Sequence, residues 1–395
     1  MRILQINTVC GISSTGRIAV DIAEELYKQG HSCKILYGVG DVPAKYASYA
    51  CKISTPLGVK IASAKRKFFD AEGLSNRCST YKAIAEIRNF APDIIHLHNI
   101  HGCYLHYPTL FRFLKKYNRP IVWTMHDCWL FTGHCAYFDY ANCNRWQSQC
   151  MHCPQITKGY PPNLFLDRSK QNFACKKRYF TGLPITLVSP SRWLAKLSKQ
   201  SFLHYPVRVI YNAVNAEVFK EKSTSTNAKK ILLSVANDWD ERKGLKYLLA
   251  LHQRLNPAQY QVIVIGLSKA QCQSLPTGMV GIERTQNIEE LVQYYQQADV
   301  FVNPTLEDNM PLVNLEALAC GTPLVVFDTG GCPEICPKEV GEVVPKGDIE
   351  ALQKAVEQVA AQSKSYTAAC IEYAKQFQKQ NIYQQYIDLY QELQK

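Results

Sequence analysis

Short β-rich runs alternate with helical stretches along the whole chain, and this alternation constrains the fold more than any other feature. In the first half, residues 2–6 are a predicted strand, and residues 17–29 are a predicted helix whose apolar side chains recur at helical spacing. The second half repeats the pattern, with a strand at residues 231–235 and a helix at residues 245–255. Strands that alternate with helices form parallel sheets with helices on both faces. We therefore predict an α/β protein with two Rossmann-like, doubly wound parallel sheets.

The chain is long enough for two domains, since 395 residues exceed what a single core usually organises. The pattern divides into a first domain at residues 1–212 and a second at residues 213–395, and the polar stretch 221–230 could form the edge of a linker. Tyrosines at helical spacing near the end of the chain predict a C-terminal helix in the second domain. The carboxyl ends of the strands in two such domains are expected to face a shared cleft. Residues 128–175 break the alternation and predict an insertion in the first domain.

Sixteen cysteines raise the question of the redox compartment, but a disulfide scaffold is typical of small secreted domains. The first residues of the chain predict a strand rather than the charged and apolar parts of a secretory signal. The sequence contains no apolar run of about 18 residues, so a membrane-spanning helix is not expected. These features predict a reduced, cytoplasmic protein.

Positive charge is concentrated in the first half of the chain. Residues 1–212 contain 28 Lys and Arg against 11 Asp and Glu, whereas residues 213–395 contain 17 against 22. This asymmetry predicts an anionic partner. Nucleic acid is not expected, because the sequence shows no recognition module and no interleaving of basic and aromatic residues along strands.

Two segments, Pro56–Phe69 and residues 111–116, combine basic residues with aromatic ones. Such segments are typical of helices that bind the surface of anionic membranes. They predict a peripheral protein on the cytoplasmic face of a membrane. The alternative is a solvated basic face of helices that pack on the sheet.

The segment from Asn303 to Gly331 gives the strongest indication of chemistry. A predicted strand ends at Asn303, an acidic loop follows, and Pro311 enters the first turn of a predicted helix that Gly321 ends. This order directs backbone amides and the positive end of the helix dipole toward the carboxyl edge of the sheet, as an anionic diphosphate requires. The Glu316 carboxylate, on the same helix, would accept hydrogen bonds from a ribose diol. An ordinary βαβ unit with surface charges is the alternative interpretation.

At this point the sequence resembles family 4 of the glycosyltransferases, which are retaining enzymes of the GT-B fold. The family has two acidic residues separated by seven others, and the second begins an E-A-[LM]-[AS]-C-G-T-P motif. Asp308 and Glu316 have this separation, and residues 316–323 match the motif. The first acid is Asp in this chain and Glu307 directly precedes it, so the sequence leaves open which of the two has that role.

The resemblance implies a nucleotide-sugar site in the second domain. Residues 238–244 resemble the family's diphosphate-binding loop, in which fixed cations stabilise the departing diphosphate. The family's usual Gly-Arg after the preceding strand is replaced here by Ala236 and Asn237, so Arg242 beside Lys243 would supply the second cation. The residues implied to bind the donor are Gly16, Arg242, Lys243, Asn309, Met310, Pro311, Leu312 and Glu316.

The resemblance also implies which residues lie near the acceptor and the reacting sugar. His98, Asn99 and His101 follow the end of a predicted strand and match acceptor-side positions, while His126 ends the next strand. The catalytic residues implied are His126, in a positioning or polarising role, and Asp308. The family is thought to use no protein nucleophile, because the acceptor attacks from the side that the diphosphate leaves and the leaving phosphate takes the proton. Catalysis is expected to need no metal ion.

The stretch HDCWLFTGHCAYF, which begins at His126, resembles a family 4 subgroup associated with bacterial capsule and exopolysaccharide synthesis. The resemblance implies a hexosyltransferase that uses a UDP- or GDP-linked donor and a lipid-linked or oligosaccharide acceptor. One alternative is a non-catalytic GT-B partner subunit of a transferase, which the departures at Asn237 and Asp308 favour. The other is a GT-B sugar-nucleotide epimerase, against which the acid pair argues.

The insertion contains a cluster of cysteines that ends in a CxxC pair, a spacing typical of metal ligands. A reduced chain cannot rely on disulfides, so a structural Zn²⁺ ion is one prediction, although the spacing before the CxxC is not that of a standard zinc finger. The predicted ligands are Cys135, Cys143, Cys150 and Cys153, with His134 and His152 as additional candidates.

Overall fold

The structure, a computed structural model, describes residues 1–221 and 228–395 of the chain. Most of the stretch predicted as a linker edge, residues 222–227, lies outside the described residues. The chain forms two compact units. The first comprises Met1–Tyr211 and Tyr383–Lys395, and the second comprises Asn212–Ile382.

The first unit is built around a parallel sheet of seven strands. Its strands are β1 (Arg2–Asn7), β2 (Ser32–Tyr37), β3 (Ala50–Lys52), β4 (Ile94–Leu97), β5 (Ile121–Thr124), β6 (Ile185–Ser189) and β7 (Val207–Val209). They lie in the order β3-β2-β1-β4-β5-β6-β7. Its helices are α1 (Ser13–Lys28), α2 (Pro56–Phe69), α3 (Arg77–Phe90), α4 (Tyr107–Tyr117), α5 (Ser169–Tyr179) and α6 (Arg192–Lys199).

The second unit repeats this architecture with six parallel strands. They are β8 (Lys230–Val235), β9 (Tyr260–Ile265), β10 (Val280–Ile282), β11 (Val300–Asn303), β12 (Leu324–Phe327) and β13 (Gly341–Val344), in the order β10-β9-β8-β11-β12-β13. Its helices are α7 (Leu245–Arg254), α8 (Lys269–Gln273), α9 (Ile288–Gln297), α10 (Leu312–Ala319), α11 (Ile349–Ala361) and α12 (Ser363–Ala374). The last helix, α13 (Lys379–Gln394), follows α12.

Both sheets are doubly wound, as predicted. The strand order reverses where β1 lies beside β4 in the first unit and where β8 lies beside β11 in the second. Ligands of such sheets bind outside the carboxyl ends of the strands at these switch points. The central strands β4, β5, β6, β11 and β12 are buried along their whole length, because helices cover parallel sheets on both faces.

The C-terminal helix differs from its prediction in one respect. Its tyrosines do form a buried face, but the structure groups residues from Tyr383 onward with the first unit rather than with the second. Within the first unit, the Tyr390 hydroxyl lies 2.6 Å from His96 Nδ1, and the Tyr386 hydroxyl lies 3.2 Å from Thr124 Oγ1. Helical spacing predicts that a helix has a buried face, but it does not indicate which sheet that face packs on.

Two local predictions in the first unit need correction. The helix predicted at residues 17–29 begins earlier, so Gly16 lies within the first turn of α1, and its carbonyl accepts a hydrogen bond from the Gly11 amide at 3.0 Å. Residues 111–116 do not form an exposed aromatic patch, because Phe111 on α4 is 1% exposed and packs on Trp123 and Phe180. The apolar residues of α4 recur at spacings of three and four because they pack in the core.

Between β5 and α5, the insertion packs around aromatic side chains and has little regular structure. Trp146 is 1% exposed and packs on Phe131 and Phe138, with ring centroids 5.1 and 4.7 Å apart. A single turn of 3₁₀ helix, Arg145–Gln147, carries this tryptophan. Among the described helices, none combines the length and the apolar composition needed to cross a bilayer.

Candidate active site

In the second unit, the predicted donor residues gather at the carboxyl end of β11. Two loops meet there: the acid loop, residues 304–311, and the clamp loop, residues 238–244, which follows β8. The acid loop ends at Pro311, which was predicted to lie in the first turn of α10. In the structure it is instead the N-cap residue of this helix, with an extended backbone conformation. Since β8 and β11 flank the switch point, both loops start where a doubly wound sheet binds its ligands.

A short ion pair joins the two loops. Lys243 Nζ lies 2.5 Å from Asp308 Oδ2, and both side chains are largely buried, with 22% and 13% of their surface exposed. The Asp308 carboxylate also accepts the amide hydrogen of Asn309 at 2.8 Å. Breaking a buried pair of this kind is costly, because it leaves an uncompensated charge. The pair therefore holds the Lys243 ammonium group in a fixed position.

Arg242 strengthens the contact between the loops. Its Nη1 donates a hydrogen bond to the Glu307 carbonyl oxygen at 2.9 Å, while its own carbonyl accepts the Leu306 amide at 2.8 Å. Glu307 is buried, with 1% of its surface exposed. The structure therefore brings both predicted cations onto the loop that carries the two acidic residues, and it pairs Asp308 directly with Lys243.

Two glycines, one in the clamp loop and one after β12, allow the backbone to approach the acid loop closely. Gly244 has a φ of +80°, and a Cβ atom there would lie 2.0 Å from the Pro304 carbonyl oxygen. Gly330 has a φ of +58°, and a Cβ atom there would lie 1.7 Å from the Asp308 carbonyl oxygen. Both positions combine the left-handed conformation with a lack of space, so only glycine fits.

The charge of Asp308 is well defined. Burial alone would raise the pKa of this carboxyl, but the Lys243 ammonium and then the Arg242 guanidinium outweigh burial and hold the pKa below its usual range. The group is therefore ionised at neutral pH. Its negative charge is balanced by the Lys243 ammonium group, and Arg242, whose Nε lies 3.6 Å from Asp240 Oδ2, is the second cation of the clamp.

Glu316 lies on α10 and is 7% exposed. Its Oε2 accepts a hydrogen bond from the Tyr295 hydroxyl on α9 at 2.9 Å. Tyr295 is fully buried and packs on Phe301 of β11. The sequence did not indicate Tyr295, because a single tyrosine on an amphipathic helix has the pattern of a core residue.

In the first unit, a chain of hydrogen bonds runs through the histidines at the carboxyl ends of β4 and β5. Gln5 on β1 donates through Nε2 to the Ala19 carbonyl oxygen at 2.9 Å, which turns its Oε1 toward His98 Nε2 at 2.8 Å. His98 Nδ1 in turn lies 3.0 Å from His126 Nε2. The chain thus joins one predicted acceptor-side residue to the predicted catalytic histidine.

This chain determines the tautomers of both histidines. Burial lowers the pKa of His98 well below its usual range and that of His126 to about 4, so both rings are neutral at pH 7. Since the Gln5 oxygen can only accept, His98 carries its proton on Nε2 and accepts through Nδ1. His126 must then donate from Nε2, which leaves its Nδ1 as a hydrogen-bond acceptor.

A second pair lies beside this chain. His101 Nε2 is 3.0 Å from Asp127 Oδ2, and Asp127 Oδ1 accepts the Trp129 amide at 2.8 Å. Among the described residues, His101 Nδ1 finds no hydrogen-bond partner. Asp127 was missed from the sequence, although its place directly after His126 at a strand end was a usable signal. Asn99 contributes its backbone, since its carbonyl accepts from the Thr8 and Tyr104 hydroxyls.

The buried histidines should make the first unit sensitive to acid. Burial also lowers the pKa of His96 to about 3, and an unfolded histidine titrates near 6.5. Below pH 6.5 the unfolded state therefore binds protons that the folded state does not, and the free energy of unfolding falls by about 1.4 kcal/mol per pH unit for each such histidine. The loss continues until the pH reaches the folded pKa values near 3 to 4.

Urea unfolding at pH 7.5, 6.0 and 5.0 measures this dependence. We expect His96→Gln to be less stable than wild type at pH 7.5. Between pH 6.0 and 5.0, however, its free energy of unfolding should fall less steeply with pH, by the equivalent of about one bound proton. His204→Gln, at an exposed position, is the control and should keep the wild-type slope. Equal slopes for all three proteins would contradict the assignment of a neutral, buried His96.

The cysteine cluster is brought together only in part. Its four thiols and His134 line one small cavity of the insertion, the Cys135 and Cys153 thiols are hydrogen-bonded to each other, and Cys150 Sγ accepts the Gly133 amide at 3.1 Å. Within residues 1–221 and 228–395, no three His, Cys, Asp or Glu side chains stand in positions that could hold a metal ion. His152 does not line this cavity.

Comparison with known proteins agrees with this architecture. Residues 15–218 match the family model "Glycosyltransferase Family 4", and residues 229–362 match "Glycosyl transferases group 1". The putative colanic acid biosynthesis glycosyl transferase WcaC of Escherichia coli is 24% identical over 423 aligned residues, which cover 100% of both chains.

Solved structures show the same fold at low identity. Sucrose-phosphate synthase from Thermosynechococcus elongatus aligns with a TM-score of 0.75 and 18% identity over 99% of this chain and 98% of that one. HepE from Anabaena, in complex with UDP-glucose, aligns with a TM-score of 0.66 and 14% identity over 99% and 100% of the two chains. The fold and the two switch-point sites thus define a glycosyltransferase of the GT-B class. The chain belongs to glycosyltransferase family 4.

Proposed function

We propose that this protein transfers a hexosyl group, with retention of configuration, from a UDP- or GDP-linked donor to a lipid-linked glycan in surface polysaccharide synthesis. The observation that carries the proposal is the pairing of Lys243 with Asp308, beside Arg242, at the carboxyl end of β11. The full-length similarity to WcaC supports a role in polysaccharide synthesis. The shared fold with HepE, which was solved with UDP-glucose, supports a nucleotide-sugar donor.

The clamp would bind the donor diphosphate. As the bond between the sugar and the diphosphate breaks, negative charge accumulates on the leaving group, and fixed cations stabilise that charge without reorganisation. Lys243 and Arg242 supply the cations, and Asp308 holds Lys243 in place. Glu316, oriented by the Tyr295 hydroxyl, would accept hydrogen bonds from the ribose.

His126 would orient the transferred sugar. The hydrogen bonds from Gln5 through His98 leave His126 Nδ1 as an acceptor, which suits a sugar hydroxyl that donates to it. A pKa of about 4 makes His126 a poor general base at pH 7. This agrees with a transfer in which the leaving phosphate, rather than a side chain, takes the acceptor proton.

Retention is tested by the anomeric configuration of the product. The protein would be incubated with an α-linked nucleotide sugar and a lipid-linked acceptor, and the new glycosidic bond would be examined by NMR. A product with the α-configuration is expected. A β-linked product would overturn the retaining mechanism, and a chain that consumes no donor would support the non-catalytic partner subunit instead.

For the insertion we propose a structural Zn²⁺ ion held by the cysteine cluster. Zinc would supply a crosslink in a segment that has little regular structure. The chemistry of the donors supports this, although their present positions do not form a metal site: four thiols share a cavity with His134, whose Nδ1 lies 2.6 Å from the Asp70 carboxylate and whose buried Nε2 has no hydrogen-bond partner among the described residues. A carboxylate that orients a histidine in this way is common behind zinc ligands. Binding would require the thiols to turn toward one another, and metal analysis of wild type and Cys153→Ser tests it.

Catalysis should not need a divalent metal ion, because the helix end and the two cations of the clamp take the role of Mg²⁺. Full transfer activity in excess EDTA is the expected result, measured as release of the nucleoside diphosphate. Activity that is lost and then restored by Mg²⁺ or Mn²⁺ would contradict the proposal. Activity that only Zn²⁺ restores would instead indicate that the cysteine cluster maintains the fold.

We place the protein in the cytoplasm, on the inner face of the membrane. Support comes from the excess of Lys and Arg in residues 1–212 and from the lipid-linked nature of the proposed acceptor. Cell fractionation tests this placement: the protein should sediment with membranes at low salt and be released at high salt. Protein that stays in the supernatant at low salt would contradict it.

A further inference from the structure

Helix α2 exposes its apolar side chains instead of burying them. Of its fourteen residues, all of which the structure describes, only Ala62 is buried. Leu57, Ile61 and Phe68 are 67%, 50% and 43% exposed, and their spacing of four and seven residues puts them on one stripe of the helix. Amphipathic helices of globular proteins normally turn this stripe toward the core.

Lysines flank the exposed stripe on both sides. At 100° per residue, Lys60 and Lys67 lie on one side of it and Lys65 on the other, and all three are exposed. The helix contains no acidic residue. Arg66 lies on the opposite side, where its guanidinium is 3.9 Å from the buried Glu72 carboxylate. The positive charge that faces solvent therefore surrounds the apolar stripe.

A second segment extends this surface. Leu164, Phe165 and Leu166 are 47%, 73% and 47% exposed. The Leu164 amide donates to the Lys67 carbonyl oxygen at 2.8 Å, and the Phe165 ring stacks on Phe68 with centroids 5.8 Å apart. The loop is thus fixed to the end of α2. We call the combined surface the apolar ridge; it consists of Leu57, Ile61, Phe68, Phe69, Leu164, Phe165 and Leu166.

We propose that the apolar ridge inserts into the interfacial region of an anionic bilayer and holds the first unit on the membrane. Aromatic and aliphatic side chains gain free energy in the acyl boundary, while the flanking lysines pair with acidic headgroups. The charges favour a lipid surface over an apolar protein partner, because lysine is depleted at the centres of protein interfaces. The inference rests on the proposed function for its biological reason, the lipid-linked acceptor, but its test measures binding and not transfer.

Co-sedimentation of the full chain with liposomes tests the proposal. Binding to vesicles with 30% anionic lipid should exceed binding to pure phosphatidylcholine vesicles and should decrease as salt is raised. The triple variant Lys60→Gln/Lys65→Gln/Lys67→Gln should bind about a hundredfold more weakly to anionic vesicles, since each basic residue near the surface contributes about fivefold. The double variant Phe68→Ser/Phe165→Ser should lose binding even at low salt.

The matched control, which also removes three positive charges, is Lys115→Gln/Lys116→Gln on α4 combined with Lys177→Gln on α5. These lysines are exposed and belong to the same unit, but the neighbouring Phe111 is buried, so this variant should bind much like wild type. Equal loss in the control and in the ridge variants would show that only total charge matters and would overturn the proposal. So would equal binding to neutral and anionic vesicles, or no binding to either.

Self-association that Phe165→Ser abolishes, without vesicle binding, would assign the ridge to a second copy of the chain. Donor turnover should be retained in the ridge variants. A loss of vesicle binding can therefore be distinguished from a failure of the proposed transferase function.

Discussion

Lys243→Ala should weaken donor binding by about 10- to 150-fold, since a hydrogen bond to a charged group contributes about 1.5–3 kcal/mol. The variant removes a cation of the clamp and leaves the Asp308 carboxylate in a largely buried position without its ammonium partner. That carboxylate would then repel the diphosphate, so the loss should exceed that of a simple contact. Titration of the donor by calorimetry measures the change.

The matched control for this experiment is Lys246→Ala. Lys246 lies on α7, three residues after Lys243, and is exposed, so its removal changes the net charge equally without touching the clamp. Circular dichroism should show both variants folded. Equal donor affinity in Lys243→Ala and Lys246→Ala would remove the basis for assigning the diphosphate to the clamp loop.

Glu316→Ala should lower donor affinity by a similar factor, because the ribose loses a charged acceptor. It should also lower stability, since the buried Tyr295 hydroxyl would lose its partner. Glu316→Gln separates the two effects: it keeps an acceptor for Tyr295 and so should be more stable than Glu316→Ala, while donor affinity still decreases. Donor titration and urea unfolding together measure both quantities.

Tyr295→Phe serves as the comparison for Glu316. It removes the hydroxyl but leaves the carboxylate and the packing on Phe301 in place, so it should reduce donor affinity less than Glu316→Ala does. A Tyr295→Phe protein that binds the donor as poorly as Glu316→Ala would mean that orientation, and not the carboxylate itself, decides binding. Unchanged affinity in both Glu316 variants would refute the ribose assignment.

Much of the fold could be predicted because parallel strands and amphipathic helices have distinct periods. The six-residue runs at β1 and β8 and the fully buried run at β11 are apolar enough that they were identified from the sequence. The edge strands β3, β7, β10 and β13 were missed, since each has only three or four residues and is partly exposed. The packing of α13 on the first sheet also lay beyond the sequence, because it depends on contacts between residues far apart in the chain.

The site could be predicted where residues form a local motif. Asp308, Glu316 and Lys243 stand in recognisable spacings, but the ion pair between Lys243 and Asp308 was not predicted from them. Gln5 and Tyr295 were missed, because each orients another side chain from a distant element and has no motif of its own. The ridge was half predicted: α2 was identified, but the contribution of Phe165 arises only from its stacking on Phe68.

Whether the chain consumes a nucleotide sugar can be measured directly. The purified protein would be incubated with a panel of radiolabelled UDP- and GDP-sugars and a lipid extract of bacterial membranes, with a reaction that contains heat-denatured protein as the blank. We expect one donor to release its nucleoside diphosphate while the label moves into the organic phase, at a rate well above the blank. Donor consumption no greater than that of the heat-denatured blank across the whole panel would contradict the assignment of the chain as an active glycosyltransferase.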